Sequence, residues 1–85
     1  MWYVYYLYSQ EKNIYYIGKT CDIKRRLTEH NNHEEKFTKR TKNWNLVGLI
    51  ECETSIIATR IERKLKKAKN KKYVQWYFQK NGIKV

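Results

Sequence analysis

Residues 2–9 read WYVYYLYS and residues 14–18 read IYYIG, with only the polar QEKN between them. Runs this rich in aromatic and β-branched side chains favour extended strands. A four-residue loop joins two such strands as a hairpin. A chain that starts this way is committed to an antiparallel sheet, and everything after must cover it. Side chains alternate across a strand, so Val4, Tyr6 and Tyr8 share one face of the first strand. Ile14 and Tyr16 share a face of the second.

Thr20 or Asp22 is placed to cap a helix that begins near Ile23 and runs to about Asn31. Ile23 and Leu27 mark its buried stripe, and Arg26 and His30 project together from the face beside it. NNHEEKFTKRTKN is polar and reads as a loop. WNLVGLIE, Trp44 to Glu51, alternates as a third strand, in which Gly48 marks a bulge or a close backbone approach. From about Ser55, Ile57, Ile61 and Leu65 recur every four residues with Ala58 and Ala68 flanking, which predicts a longer helix. KNKK interrupts that stripe. YVQWYFQK, Tyr73 to Lys80, predicts a last helix that Gly82 stops. The order β-β-α-β-α-α predicts an α+β fold, a three-stranded and mainly antiparallel sheet flanked by helices. One domain is expected over residues 1–85.

Eight Tyr, three Trp and two Phe supply the core of so short a chain with aromatic area. The 19 Lys and Arg outnumber eight Asp and Glu, for a net charge of +11. Such a surface attracts polyanions, nucleic acid foremost. No window is apolar enough to span a membrane. The N-terminus has neither the basic start nor the small-residue cleavage site of a signal peptide, so a cytoplasmic location is expected. Cys21 and Cys52 are then reduced thiols, and neither they nor His30 and His33 have the short pairings of a zinc site.

Taken in order, VYY (4–6), YIG (16–18), Lys19, Arg26, His30 and a later helical Glu62 resemble the GIY-YIG nuclease superfamily. YIGKTCDIKRRLTEH matches its second motif and the helix after it. KFTKRTKNWNLVGLIE, ATRIERKLKK and KNKKYVQW are similar to the later segments of small stand-alone members, which resemble the N-terminal domain of excinuclease C. In the first triplet Val4 and Tyr5 replace glycine and isoleucine, and Tyr6 keeps the third place. The resemblance implies metal-dependent hydrolysis of phosphodiesters, as in repair excinucleases, homing endonucleases and some restriction enzymes.

That chemistry needs an activated water and positive charge around phosphorus. The resemblance implies that Tyr6 deprotonates or orients the water, helped by the cations Lys19 and Arg26. Tyr16 would hydrogen-bond the phosphate or the water, and how the two tyrosines divide these roles stays open. Arg26 would clamp the scissile phosphate with its fork of donors. His30 would donate to the phosphate or relay a proton. Glu62 would hold a single divalent ion, Mg²⁺ or Mn²⁺, which keeps several of its waters. Gly18 would let backbone approach the substrate, and Lys19, Lys24 and Arg25 would bind it. Tyr3, Tyr5 and Tyr15 read as packing residues.

Each residue also has a plainer reading, such as a surface pair for Glu62 with Lys66 four positions on. Larger catalytic members carry an asparagine at a place that falls here around Tyr73 to Trp76, where this chain has none; Asn70 comes too early and Asn81 too late. The partner expected is nucleic acid, DNA ahead of RNA, read with weak sequence specificity and with room for a recruiting protein. Two other readings compete: a non-catalytic nucleic-acid-binding module of the same fold, and an adaptor for an acidic protein.

Overall fold

The computed structural model describes residues 1–32 and 43–83. In it the two aromatic runs form an antiparallel hairpin, β1 (Trp2–Ser9) and β2 (Ile14–Thr20), with Ser9 opposite Ile14. The turn closes at Asn13, whose φ of 53° is left-handed and whose side chain accepts a hydrogen bond from the Tyr8 hydroxyl at 3.0 Å. Asparagine tolerates that conformation better than most residues.

Of the two candidate caps, Asp22 is the N-cap of the first helix, α1 (Ile23–Asn31). The Asp22 carboxylate accepts the Arg25 N–H at 3.1 Å, and the Thr20 hydroxyl accepts the Asp22 N–H at 3.1 Å. The third strand, β3 (Trp44–Cys52), pairs antiparallel with the other edge of β1, so the sheet order is β2-β1-β3. Asn31 clasps the start of β3: its side chain accepts the Trp44 N–H at 2.7 Å and donates to the Trp44 carbonyl at 3.3 Å. The helices α2 (Ser55–Ala68) and α3 (Lys71–Asn81) complete the β-β-α-β-α-α order. The expected loop lies for the most part outside the described residues, as do His33, Lys36, Lys39, Arg40 and Lys42.

Because β1 is the middle strand, helices cover both of its faces. Tyr5, Leu7, Trp44 and Leu49 form a core on one face, with Ile23 and Leu27 of α1 packed against it. Val4, Tyr6, Ile50 and Cys52 pack on the other face against Ala58 and Leu65 of α2 and Val74 and Phe78 of α3. Four consecutive residues, Val4 to Leu7, are therefore buried. On α2 the innermost place at the N-terminal end belongs to Ala58, while Ile57 stands 40% exposed. Cys21 is exposed and Cys52 buried, both as free thiols. Burial pushes the Cys52 thiol pKa up.

Gly48 fills both roles foreseen for it. Tyr6 pairs with Gly48 but Leu7 pairs with Leu46, so Val47 is an extra residue in β3. That bulge resets the alternation, which is why Leu46 and Leu49 share a core although three positions apart. The Phe78 ring lies over the glycine, 2.7 Å from where a Cβ would stand. Beyond α3, Gly82 donates its N–H to the Phe78 carbonyl, and the Ile83 N–H bonds to the Leu49 carbonyl at 2.8 Å. The last helix is thus tied down over β3.

Gly48→Ala should force the Phe78 ring aside and destabilise the fold by about 1–3 kcal/mol. Urea unfolding reads this directly; an unchanged midpoint would show that the ring yields at no cost.

Candidate active site

Strand alternation decides which tyrosines meet α1. Odd-numbered residues of β1 face that helix, and the hairpin register sets Tyr5 opposite Gly18 and Leu7 opposite Tyr16. Tyr5 and Tyr16 therefore lie on one face together with Arg26 and His30. The Tyr5 hydroxyl is 2.8 Å from His30 Nε2, and Arg26 donates through Nε to the same hydroxyl at 3.2 Å. The Tyr16 ring meets the imidazole edge-on with centroids 5.0 Å apart, and the two tyrosine rings are 6.2 Å apart. Two tyrosines, an arginine and a histidine thus form one group.

The group is layered. Tyr5 and His30 are fully buried, whereas Tyr16 is half-buried and the Arg26 side chain is 25% exposed. Arg26 also pairs through Nη1 with the Glu29 carboxylate at 3.1 Å. Its guanidinium, a fixed cation, therefore bridges a buried phenol and a surface carboxylate.

Gly18 makes room for this group. It does not have the positive φ for which glycine is often required. A Cβ on it would collide with the hydroxyl end of the Tyr5 ring. The lack of a side chain thus serves the phenol.

Tyr6 does not join the group. It lies on the opposite face, its ring stacked between Tyr15 (centroids 4.9 Å, planes 13° apart) and Phe78 (5.2 Å, 8°). Burial first, and then the Tyr15 phenol, push its pKa up to about 12, the reverse of what activating a water requires. Tyr5, expected to pack, takes the position expected of Tyr6. The clue was in the sequence: a loop of residues 10–13 pairs positions whose numbers sum to 23, which places Tyr5, not Tyr6, on the face of Tyr16.

Glu62 comes from the other side of the sheet, on the helix whose Ser55, Thr59 and Lys66 meet the edge strand. Ser55, Thr59, Glu62 and Lys66 form one stripe of α2. Lys19 of β2 donates to both hydroxyls, with Ser55 Oγ 3.4 Å away. Farther along, Lys66 Nζ stands 5.6 Å from the Tyr16 ring centre. Glu62 falls between these two anchors. Its carboxylate is 18% exposed and 3.6 Å from Lys66 Nζ, the pair foreseen as its plainer reading.

Lys24 and Arg25 are exposed on the outer side of α1, and Arg25 is 3.9 Å from Glu29. Lys19 is held by α2 and also sits 5.5 Å over the Trp2 ring. Of the two asparagines, Asn70 caps α3 through the Tyr73 N–H, and Asn81 donates to the Tyr77 carbonyl in the last turn.

The family model described as the GIY-YIG catalytic domain matches residues 1–74. The chain belongs to the GIY-YIG family. No curated protein and no solved structure matched it. The match runs from β1 into the first turn of α3, so it takes in the tyrosines, Arg26, His30 and Glu62 of a GIY-YIG domain. The family is one of nucleases that act on nucleic acid and generally use divalent metal ions. Among the described residues no group of three or more His, Cys, Asp or Glu that could hold a metal ion is present. A lone carboxylate such as Glu62 suits an ion that keeps most of its waters.

The raised Tyr6 pKa makes a prediction about alkali. The folded state holds this proton more tightly than the unfolded chain, so its contribution is complete below pH 10 and is lost as pH rises toward 12. Between those values the melting temperature of wild type should fall more steeply than that of Tyr6→Phe. Parallel slopes would place the Tyr6 hydroxyl in water.

Proposed function

We propose that this single domain is a metal-dependent endonuclease that hydrolyses phosphodiester bonds in nucleic acid, with DNA favoured over RNA, and with weak sequence specificity. The observation that carries this reading is the Tyr5 hydroxyl held between His30 Nε2 and Arg26 Nε beneath Tyr16. A purely structural buried phenol needs one partner. This one has an imidazole nitrogen on one side and a fixed cation on the other. With it, the first family triplet moves by one residue to Tyr3-Val4-Tyr5, which keeps a β-branched aliphatic in the middle and tyrosine third.

In the resting arrangement Arg26 covers the phenol and is neutralised by Glu29. A scissile phosphate offers it a bidentate partner of higher charge. As Arg26 turns outward to clamp that phosphate, the Tyr5 oxygen is uncovered toward the attacking water. Neutral His30 takes the phenol proton at Nε2 while the phenol oxygen takes one from water, so the proton count balances and hydroxide attacks phosphorus. His30, fully buried, relays and does not touch the phosphate. Tyr16, nearer the surface, orients the phosphate or the water. Glu62 would hold Mg²⁺ or Mn²⁺, which supplies stabilisation of charge on the leaving oxygen. Lys24 and Arg25 lie on the same helix as the clamp and bind flanking phosphates, while Lys19 serves from β2, where Ser55 and Thr59 of α2 hold it. A cytosolic location and a recruiting protein partner fit so small and basic a chain.

The competing reading, a nucleic-acid-binding module without catalysis, draws on the missing asparagine. A nicking assay on supercoiled plasmid separates the two. Wild type with Mg²⁺ or Mn²⁺ should nick, and EDTA should stop it. Tyr5→Phe, Arg26→Ala and Glu62→Ala should each lose about 10²–10⁴-fold, while Tyr6→Phe stays within a few-fold of wild type. Salt-sensitive binding without metal-dependent nicking would instead establish the binding module. A larger loss in Tyr6→Phe than in Tyr5→Phe would restore Tyr6 to the site.

A further inference from the structure

A cleft of about 510 Å³ runs along the outer edge of β2, where that strand faces the junction of α2 with α3. Tyr15, Tyr16 and Ile17 line its strand side and Lys66, Lys69 and Lys71 its helix side, and among the described residues no acidic one lines it. Because β2 is an edge strand, the cleft meets side chains from both of its faces. Through Tyr16 it adjoins the Tyr5–His30–Arg26 group.

Two further observations bear on what it holds. The first is a column of rings that crosses the sheet. Phe78 stacks on Tyr6 and Tyr6 on Tyr15, with planes 8° and 13° apart. Tyr15 lines the cleft, its ring also meets the Tyr8 ring with centroids 4.6 Å apart and planes tilted by 35°, and Lys71 Nζ stands 5.2 Å from its centre. Lys71 is exposed, so it can swing away from the Tyr15 ring and keep its charge nearby. The second is Lys69, which ends α2 in the left-handed conformation, φ 51°. Glycine or asparagine suits that position better. Here it carries a cation at the cleft.

We propose that this cleft holds an unpaired stretch of the nucleic-acid substrate next to the scissile phosphate, with one base stacked on Tyr15 and the adjoining phosphates held by Lys66, Lys69 and Lys71. It rests on the nuclease reading of the neighbouring group and adds the kind of strand that group receives. A base continues the ring column, and stacking accepts any base, in keeping with weak sequence preference. The lysines position the strand without reading it.

Fluorescence anisotropy with an oligothymidylate, beside a mixed-sequence duplex of equal length, tests this in EDTA. Every variant is built on Tyr5→Phe, so neither cleavage nor metal enters the readout. Lys66 is left intact because it pairs with Glu62. Lys69→Gly combined with Lys71→Gln should weaken single-strand binding about tenfold and flatten the log–log salt slope by about 1.4, two contacts at ~0.7 each. Tyr15→Leu should weaken it about 5- to 100-fold, while Tyr15→Phe, which keeps the ring, stays within about twofold. Duplex binding should change less than about twofold throughout. Lys69→Gly alone should raise the melting temperature, so its lost affinity is not unfolding. Equal weakening of single strand and duplex, or single-strand binding unchanged in the lysine pair, overturns the proposal. If Tyr15→Leu does not fold, a loss in Tyr15→Phe equal to that in the lysine pair overturns the stacking role. Failure of plasmid nicking with these binding results intact would remove the nuclease reading and leave the cleft.

Discussion

The fold depends on one strand being covered everywhere. β1 is hydrogen-bonded along both edges, by β2 and β3, and packed on both faces, by α1 on one and α2 with α3 on the other. No side chain of its middle can reach solvent without passing a helix, which is why Val4 to Leu7 are buried without alternation. The price of that coverage is that a polar tip on β1 needs a partner in whichever layer it enters. The Tyr5 hydroxyl enters the α1 layer and finds His30 and Arg26. The Tyr6 ring enters the other layer and finds only rings on either face.

Two adjacent tyrosines with the same chemistry thus acquire opposite characters from strand geometry alone. One hydroxyl sits between an imidazole and a guanidinium. The other sits where burial opposes ionisation and its proton is held to about pH 12. Electrostatics here follows from the pleat: a residue's face determines its neighbours, and its neighbours determine what its proton can do.

The elements were legible in the sequence because their signals are local. WYVYYLYS, the cap at Asp22, the four-residue repeat ending at Leu65, and Gly82 each act within a turn or two of themselves. Arg26 and His30 were legible as a pair for the same reason, being one helical turn apart. The contact of Tyr5 with His30 and Arg26 was not foreseen because it depends on pairing between strands, and VYY was set against the family triplet without the parity that the QEKN loop imposes. Ala58 in place of Ile57 reflects a requirement for close helix–sheet approach, which hydrophobic periodicity does not encode. The meeting of Ser55, Thr59 and Lys66 with β2, on either side of Glu62 along α2, depends on how that helix lies across the sheet, and no single segment carries that information.

Tyr5 and Gly18 face each other across the hairpin, and the phenol occupies the volume that any side chain at position 18 would need. In genetic terms the two positions are locked in one direction. A larger residue at 18 can be accommodated by shrinking residue 5, which restores packing but removes the hydroxyl. Enlarging 18 while keeping the tyrosine leaves the hydroxyl but moves it away from His30 and Arg26. Second-site suppressors at position 5 therefore rescue folding of a Gly18 variant but never the hydroxyl's contacts with His30 and Arg26, a loss that selection for solubility alone does not register.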